Sequence, residues 1–165
     1  MEARRLTHRA HVITVSDGVS AGTRTDKSGH ALKQLLESDR FEVTGPEVVP
    51  DDHTRITDAI VAAVVAGADV VVTTGGTGLG PRDVTPQATS MLIDYEVPGL
   101  AEVMRRAGER STPMASLSRG VVGVRGRSLV INVPGSAKGA AESLEAVLPV
   151  LGHAVQLLHG HTQHE

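Results

Sequence analysis

The run Asp69-Val70-Val71-Val72 leads directly into Thr73-Thr74-Gly75-Gly76-Thr77-Gly78-Leu79-Gly80-Pro81-Arg82-Asp83-Val84-Thr85-Pro86. Consecutive β-branched residues with no polar alternation read as a strand buried on both faces. The glycine-rich turn that follows exposes backbone N–H groups, and such groups cradle phosphate oxygens. Arg82 supplies a charge that neutralises an anion, and Asp83 supplies a carboxylate that holds or orients a metal ion. Thr85-Pro86 reads as an N-cap followed by proline in the first helical turn. Strand, turn and helix together place these groups at the carboxyl end of a strand, where open α/β sheets bind ligands. A glycine turn that merely connects two elements is the plainer reading. Thr77, the Arg82-Asp83 pair and the Thr-Pro cap argue against it. The turn is not a Walker loop, because no Gly-Lys-Thr follows. Nor is it the dinucleotide fingerprint, which belongs to the first strand–helix unit.

The rest of the chain alternates strands and helices. Strands are expected over 11–15, 41–49, 69–74, 121–124 and 128–133, and helices over 27–38, 53–66, 86–94, from Pro98-Gly99 to about 110, and over 137–158 with a bend at Pro149. Asp26 or Thr25 is expected to cap the first helix. This order predicts an α/β fold, a three-layer α/β/α sandwich with a mostly parallel sheet. A length of 165 residues suits one domain over 1–165, with 1–9 and 160–165 as flexible ends.

Composition excludes several function classes. Sixteen basic against 19 acidic residues give a formal charge of −3, so a basic nucleic-acid-binding surface has no support. Phe41 and Tyr95 are the only aromatic residues. Single-strand nucleic-acid binding on aromatic platforms is therefore also disfavoured, and a flat heterocycle would be held by aliphatic side chains and backbone. The absence of cysteine removes disulfides, thiolate zinc sites and thiol nucleophiles. No apolar run is long enough to span a membrane and the first residues lack a signal-peptide pattern, so the expected location is the cytoplasm. Eight histidines show no ligand spacing, and His159, His161 and His164 sit near the chain end.

Other candidates close other strands. Asp51 and Asp52 follow the second strand; helix capping is the plainer reading, stronger for Asp52, and in a parallel sheet Asp51 and Asp83 would both lie at carboxyl ends of strands and could share a magnesium ion that also grips phosphates. Asp17 follows the first strand, as a loop cap or as a partner for a ligand's amide edge. Asn132-Val133-Pro134-Gly135-Ser136 closes the last strand, and Ser136 opens a helix N-terminus that favours an anion. Leu117-Ser118-Arg119 follows a polar loop containing Ser111, Thr112 and Ser116.

Thr14-Val15-Ser16-Asp17, Val49-Pro50-Asp51, Thr73-Thr74-Gly75-Gly76-Thr77-Gly78, Arg82-Asp83-Val84-Thr85-Pro86, Val97-Pro98-Gly99, Leu117-Ser118-Arg119 and Asn132-Val133-Pro134-Gly135-Ser136-Ala137-Lys138-Gly139 occur in one order across nearly the whole chain. In this the sequence resembles the molybdopterin-binding family of bacterial Mog and MoaB proteins and of the plant and gephyrin G domains. The resemblance implies a MogA-like fold, usually a homotrimer and in some members a hexamer. It implies adenylylation of molybdopterin by Mg2+ and ATP with release of pyrophosphate, and hand-over to the molybdate-inserting enzyme. It assigns Asp51 and Asp83 as catalytic and magnesium-binding acids. Gly75, Gly76, Thr77, Gly78, Asn132, Gly135 and Ser136 fall on the nucleotide and phosphate side, and Asp17, Ser118 and Arg119 on the pterin side. Arg82 is either a phosphate contact or an internal salt-bridge partner. The alternatives are a MoaB-type paralogue that binds molybdopterin with little catalysis, and a non-catalytic trimeric scaffold. The related CinA turn reads Gly-Gly-Leu-Gly-Pro-Thr, unlike this chain. One departure from the family is Gln87, where an acid is usual. Whether molybdenum or tungsten is used is not encoded.

Overall fold

Strand and helix identities follow the alternation of side chains. The computed structural model describes residues 7–162. Strands β1 (Arg9–Val15), β2 (Glu42–Val49), β3 (Val70–Thr74), β4 (Tyr95–Glu96), β5 (Val122–Arg125) and β6 (Ser128–Val133) form one six-stranded sheet in the order β2-β1-β3-β6-β5-β4. β2, β1, β3 and β6 pair parallel, whereas β5 runs antiparallel to β6 and β4 antiparallel to β5. The expected mostly parallel α/β sheet is therefore the observed one. Successive side chains leave a strand on opposite faces. Val70, Val72, Leu129, Ile131 and Val133 accordingly pack on one face with Leu32, Leu36, Met104, Leu144 and Leu151. Val71, Val130, Ile13 and Val15 pack on the other with Ile56, Ile60 and Ala88.

These partners belong to the helices. α2 (Lys27–Ser38), α5 (Pro98–Glu109) and α6 (Ala137–Leu158) cover the first face; α3 (His53–Val65) and α4 (Thr85–Leu92) cover the second. Three N-terminal caps match the residue chemistry. Asp26 accepts from the Gly29 N–H, Asp52 from Arg55 and Ser136 from Gly139, each satisfying an otherwise unpaired donor. α6 continues through Pro149 as one helix of 22 residues.

Several local expectations are corrected. Thr85 is not the cap of α4: it is the first helical residue, Val84 occupies the cap without a side-chain bond, and the Thr85 hydroxyl donates to the Gly75 carbonyl at 2.9 Å. Phe41 lies outside the second strand, buried before β2 begins at Glu42. Arg9, expected in a flexible end, starts β1, pairs with Glu42, and donates its N–H to Asp69 at 2.8 Å. Of the expected flexible ends, residues 1–6 and 163–165, His164 among them, lie outside the described residues, whereas the His8 carbonyl accepts from the Glu42 N–H and the His161 N–H donates to the Gln156 carbonyl. The one-turn helix α1 (Asp17–Ser20), the two-residue strand β4 and a 3-10 turn at Pro113–Leu117 are too short to carry a periodic signal. Among the described residues no helix is long and apolar enough to cross a membrane.

The layer assignment makes a direct prediction. Leu144, wholly buried on the inner face of α6, should cost about 2–5 kcal/mol of stability on truncation to Ala. Val65, 80% exposed at the end of α3, should lose no more than about 0.5 kcal/mol. Urea unfolding of the two variants measures the difference.

Candidate active site

The four parallel strands all end on one side of the sheet, and each runs into a loop that carries chemistry: Ser16-Asp17, Pro50-Asp51, Gly75-Gly76 and Pro134-Gly135-Ser136. β1 has β2 on one side and β3 on the other, so the winding reverses there and leaves a crevice outside the strand ends. Gly75 and Gly76 adopt φ of +101° and +68°. A Cβ on Gly75 would meet the Val15 carbonyl; one on Gly76 would meet the Thr85 hydroxyl and come within 3.2 Å of Asp51 Oδ1. Only glycine fits both the backbone conformation and the space.

Asp17 and Asp51 clasp each other reciprocally. The Asp17 N–H donates to Asp51 Oδ2 at 2.9 Å, and the Asp51 N–H donates to Asp17 Oδ1 at 3.0 Å. Arg82 Nε and Nη2 each donate to the Asp17 carboxylate at 3.0 Å. Of the two readings for Arg82, the structure therefore shows the internal salt bridge. The Arg82 hydrogen bonds, with the Asp51 N–H, hold the Asp17 carboxyl below its ordinary range. Asp51 moves the other way: burial raises its pKa, and the Asp17 and Asp83 charges add to the rise. Asp83 Oδ2 accepts from the Gly80 N–H at 2.9 Å, which tightens the end of the glycine turn.

Two cavities meet over this surface. A polar one of about 380 Å³ is lined by Ser16, Lys27, Asp51, Gly76, Asp83 and Ser136, with Gly75 and Gly135 in its wall. A more apolar one of about 260 Å³ is lined by Thr77, Gly78, Met104, Met114, Ser118 and Ser136. Ser136 belongs to both. Asp51, Asp83, Gly75, Gly76, Gly135 and Ser136 are thus brought together as expected. Thr77, Gly78 and Asn132, assigned to the nucleotide side by the resemblance, border the apolar cavity together with Ser118, because the glycine turn passes from one cavity to the other.

Asn132 is buried and its amide is committed: Nδ2 donates to the hydroxyls of Thr73 and Thr89 at 2.9 Å each, and Oδ1 accepts from the Val121 N–H at 3.1 Å. Asp17 and Arg119 line neither of these cavities. Asp17 is engaged by Arg82 and Asp51. Arg119 lies behind the glycine turn, where Nε donates to the Gly78 carbonyl and Nη2 to the Asp83 carbonyl, both at 2.8 Å, and Nη1 donates to Gln87 Oε1 at 3.3 Å. Position 87 therefore faces Arg119.

Sequence reading missed Arg24, Lys27 and Ser28 in the polar cavity and Met104, Met114 and Leu117 in the apolar one. Two cations inside a hydroxyl-rich loop were the available signal for the first group; the second has none, since the 3-10 turn breaks the helical period. Among the described residues, no group of three or more His, Asp or Glu side chains forms a metal cage. Asp51 and Asp83 on one cavity still suit magnesium, which takes one or two carboxylates and completes its shell with water and substrate phosphates.

A doubly wound α/β domain with a glycine turn and paired acids at its strand ends belongs to the class that binds phosphate-bearing ligands in that crevice. The family model described as a probable molybdopterin binding domain matches residues 11–153. The chain is 37% identical to the molybdopterin adenylyltransferase of Helicobacter pylori strain J99, over 90% of this chain and 86% of that one. It is 39% identical to molybdenum cofactor biosynthesis protein B of Bacillus cereus, over 92% and 90%. The solved structure of the molybdopterin biosynthesis enzyme MoaB of Thermus thermophilus superposes with a TM-score of 0.87 at 54% identity, covering 93% of this chain and 98% of that one. The chain spans about half the length of the bifunctional molybdenum cofactor biosynthesis proteins it also matches, 49% for that of Chlorobaculum tepidum. The chain belongs to the molybdopterin-binding family.

The raised pKa of Asp51 has a stability consequence. Its folded value lies above the ordinary 3.8, so the native state holds the proton more tightly and ionisation on raising the pH through that window lowers stability. Asn keeps the acceptor for the Asp17 N–H and removes the charge. Asp51→Asn should therefore melt above wild type at pH 7, and the gain should vanish as the pH falls below 3.8. Thermal melts across that range measure it; a variant less stable at pH 7 contradicts the assignment.

Proposed function

We propose that this chain adenylylates molybdopterin within molybdenum cofactor biosynthesis, using Mg2+ and ATP. The observation that carries the reading is Ser136, the shared wall of an apolar cavity and of a polar cavity bearing Asp51 and Asp83. An organic ring with a terminal phosphate suits the first cavity, where Met104, Met114 and Leu117 offer apolar contact without aromatic stacking. The nucleotide phosphates suit the second, between the Gly75-Gly76 turn, Lys27 and Arg24. The two phosphates then meet at Ser136. Its Oγ already accepts the Gly139 N–H, and its hydroxyl proton remains to donate to a phosphate oxygen. The N-terminus of α6 adds its positive dipole end at the same point.

In the transfer, a phosphate oxygen of molybdopterin forms a bond to the α-phosphorus of ATP. The bond from that phosphorus to the β-phosphate oxygen breaks, and pyrophosphate leaves. The reacting groups are all anions, so positioning and cationic charge supply most of the rate. Magnesium held by Asp51 and Asp83 would supply that charge. Asp51, crowded by two neighbouring carboxylates, is poised to favour a cation. The reading extends to a homotrimer, with a hexamer as the other assembly, to hand-over of the product to the molybdate-inserting enzyme, and to a cytoplasmic location.

A second reading is a MoaB-type protein that binds molybdopterin with little catalysis; the MoaB structure at 54% identity, itself described as a molybdopterin biosynthesis enzyme, does not choose between the two. Pyrophosphate release from Mg-ATP, with and without molybdopterin, separates the two. Molybdopterin-dependent release is expected, and Asp83→Asn should reduce it by about 100-fold or more without lowering the melting temperature, because Asn still accepts the Gly80 N–H and relieves the charge on Asp51. Near-normal turnover in the variant removes the acid's role. Tight molybdopterin binding without release in wild type supports the second reading.

A further inference from the structure

Arg119 holds the glycine turn through neutral acceptors alone. Its own N–H donates to the Thr77 carbonyl at 2.9 Å, and its guanidinium reaches the Gly78 and Asp83 carbonyls and the Gln87 amide oxygen. Among the described residues no carboxylate lies within 4.0 Å of that guanidinium. The Asp83 carboxylate, on the contact residue itself, is turned to the Gly80 N–H. Arg119 is half-buried, so water screens its charge less than it screens a free surface cation.

The backbone geometry gives these contacts a direction. The peptide bonds concerned are trans, so each C=O and the following N–H point opposite ways. Three carbonyls drawn toward Arg119 therefore turn the N–H groups of Gly78, Leu79 and Val84 away from it. Arg119 thus fixes the orientation of the turn's dipoles while keeping its full positive charge behind them.

We infer that the Arg119 charge, held behind Asp83 in the wall of the polar cavity, supports phosphate binding there, and that Gln87 tunes the site by leaving that charge un-neutralised. The inference rests on the phosphate-site reading above. An acid at position 87 would satisfy the same guanidinium contact and cancel the charge, strengthening the fold while weakening the attraction for an anion. Gln87 is exposed in the first turn of α4, where Glu is favourable, so Gln87→Glu is expected to fold at least as stably as wild type.

The test is calorimetric titration of the full chain with inorganic pyrophosphate, at low and at high NaCl. Wild type should bind. Gln87→Glu should raise the Kd about threefold to tenfold at low salt, the scale of one added unit charge acting through a high-dielectric surface, and the gap should narrow as salt screens it. Gln87→Met, neutral and lacking the acceptor, should lose less than Gln87→Glu. Equal affinity of wild type and Gln87→Glu, a salt-independent gap, or a larger loss in Gln87→Met overturns the inference and leaves the phosphate reading standing. Failure of wild type to bind pyrophosphate at low salt overturns both.

Discussion

The close approach of three backbones at the strand exits is the constraint on which the site depends. Gly75 passes against the Val15 carbonyl, and Gly135 packs on Gly75, where an added Cβ would come within 3.3 Å of the Gly75 Cα. β1, β3 and β6 are neighbours in the sheet, so their exits compete for one small volume. Glycine at 75, with φ of +101°, relieves that crowding by removing the side chain and by turning the chain left-handed. The turn then lies flat over the strand ends, which lets Asp51 and Asp83 share a cavity and lets Ser136 border both cavities. A bulkier residue at 75 would lift the turn and separate these groups.

Electrostatics shows what that compactness does to the acids. Asp17, Asp51 and Asp83 are gathered at the strand ends, and Arg82 is bound to Asp17 alone. Asp17 is stabilised as a carboxylate, whereas Asp51 is destabilised by burial and by its neighbours. The two thus differ in environment although both make the clasp between β1 and β2: Asp17 is neutralised by Arg82, and Asp51 is partly buried beside the Asp17 and Asp83 charges. A fold selected for stability alone would neutralise Asp51. Its retention next to a second acid is the arrangement expected of a functional site.

Much of this was legible in the residues, for identifiable reasons. Val70–Val72 and Leu129–Val133 alternate sides of a sheet that is covered on both faces, so their hydrophobic runs read as central strands. Asp26, one of two candidates with Thr25, and Asp52 are legible as caps because short acceptors stand before an apolar period, whereas Ser136, read first as an anion site, also caps α6. Thr85 has the same local pattern and is not a cap. Its hydroxyl is drawn to the Gly75 carbonyl ten residues away, a tertiary bond that local pattern does not contain. Arg119 and Asp17 stand out in the sequence as site residues, but their partners lie 36 to 65 positions away for the Asp83 and Arg82 contacts, so their supporting roles appear only once the chain is folded. The division into two cavities is hidden for a similar reason: the apolar wall comes from Met114 and Leu117 in a 3-10 turn and from Met104 on α5, elements with no common period.

The buried amide of Asn132 shows how far the same logic extends below the surface. Among the described residues every fully buried side-chain polar atom has a hydrogen-bond partner, and Asn132 supplies several of those bonds. It links Thr73 on β3, Thr89 on α4 and Val121 ahead of β5 at the wall of the apolar cavity. An unpaired amide at that depth would lower stability by about 1–3 kcal/mol. Satisfied, the network fixes the position of β3 relative to α4, the two elements between which the glycine turn is strung. Asn132, which the resemblance assigns to the nucleotide side, thus also carries a structural role through its amide. Residues that touch the cavities hold their positions because Asn132, Thr85 and Arg119 leave the turn between β3 and α4 little freedom to shift.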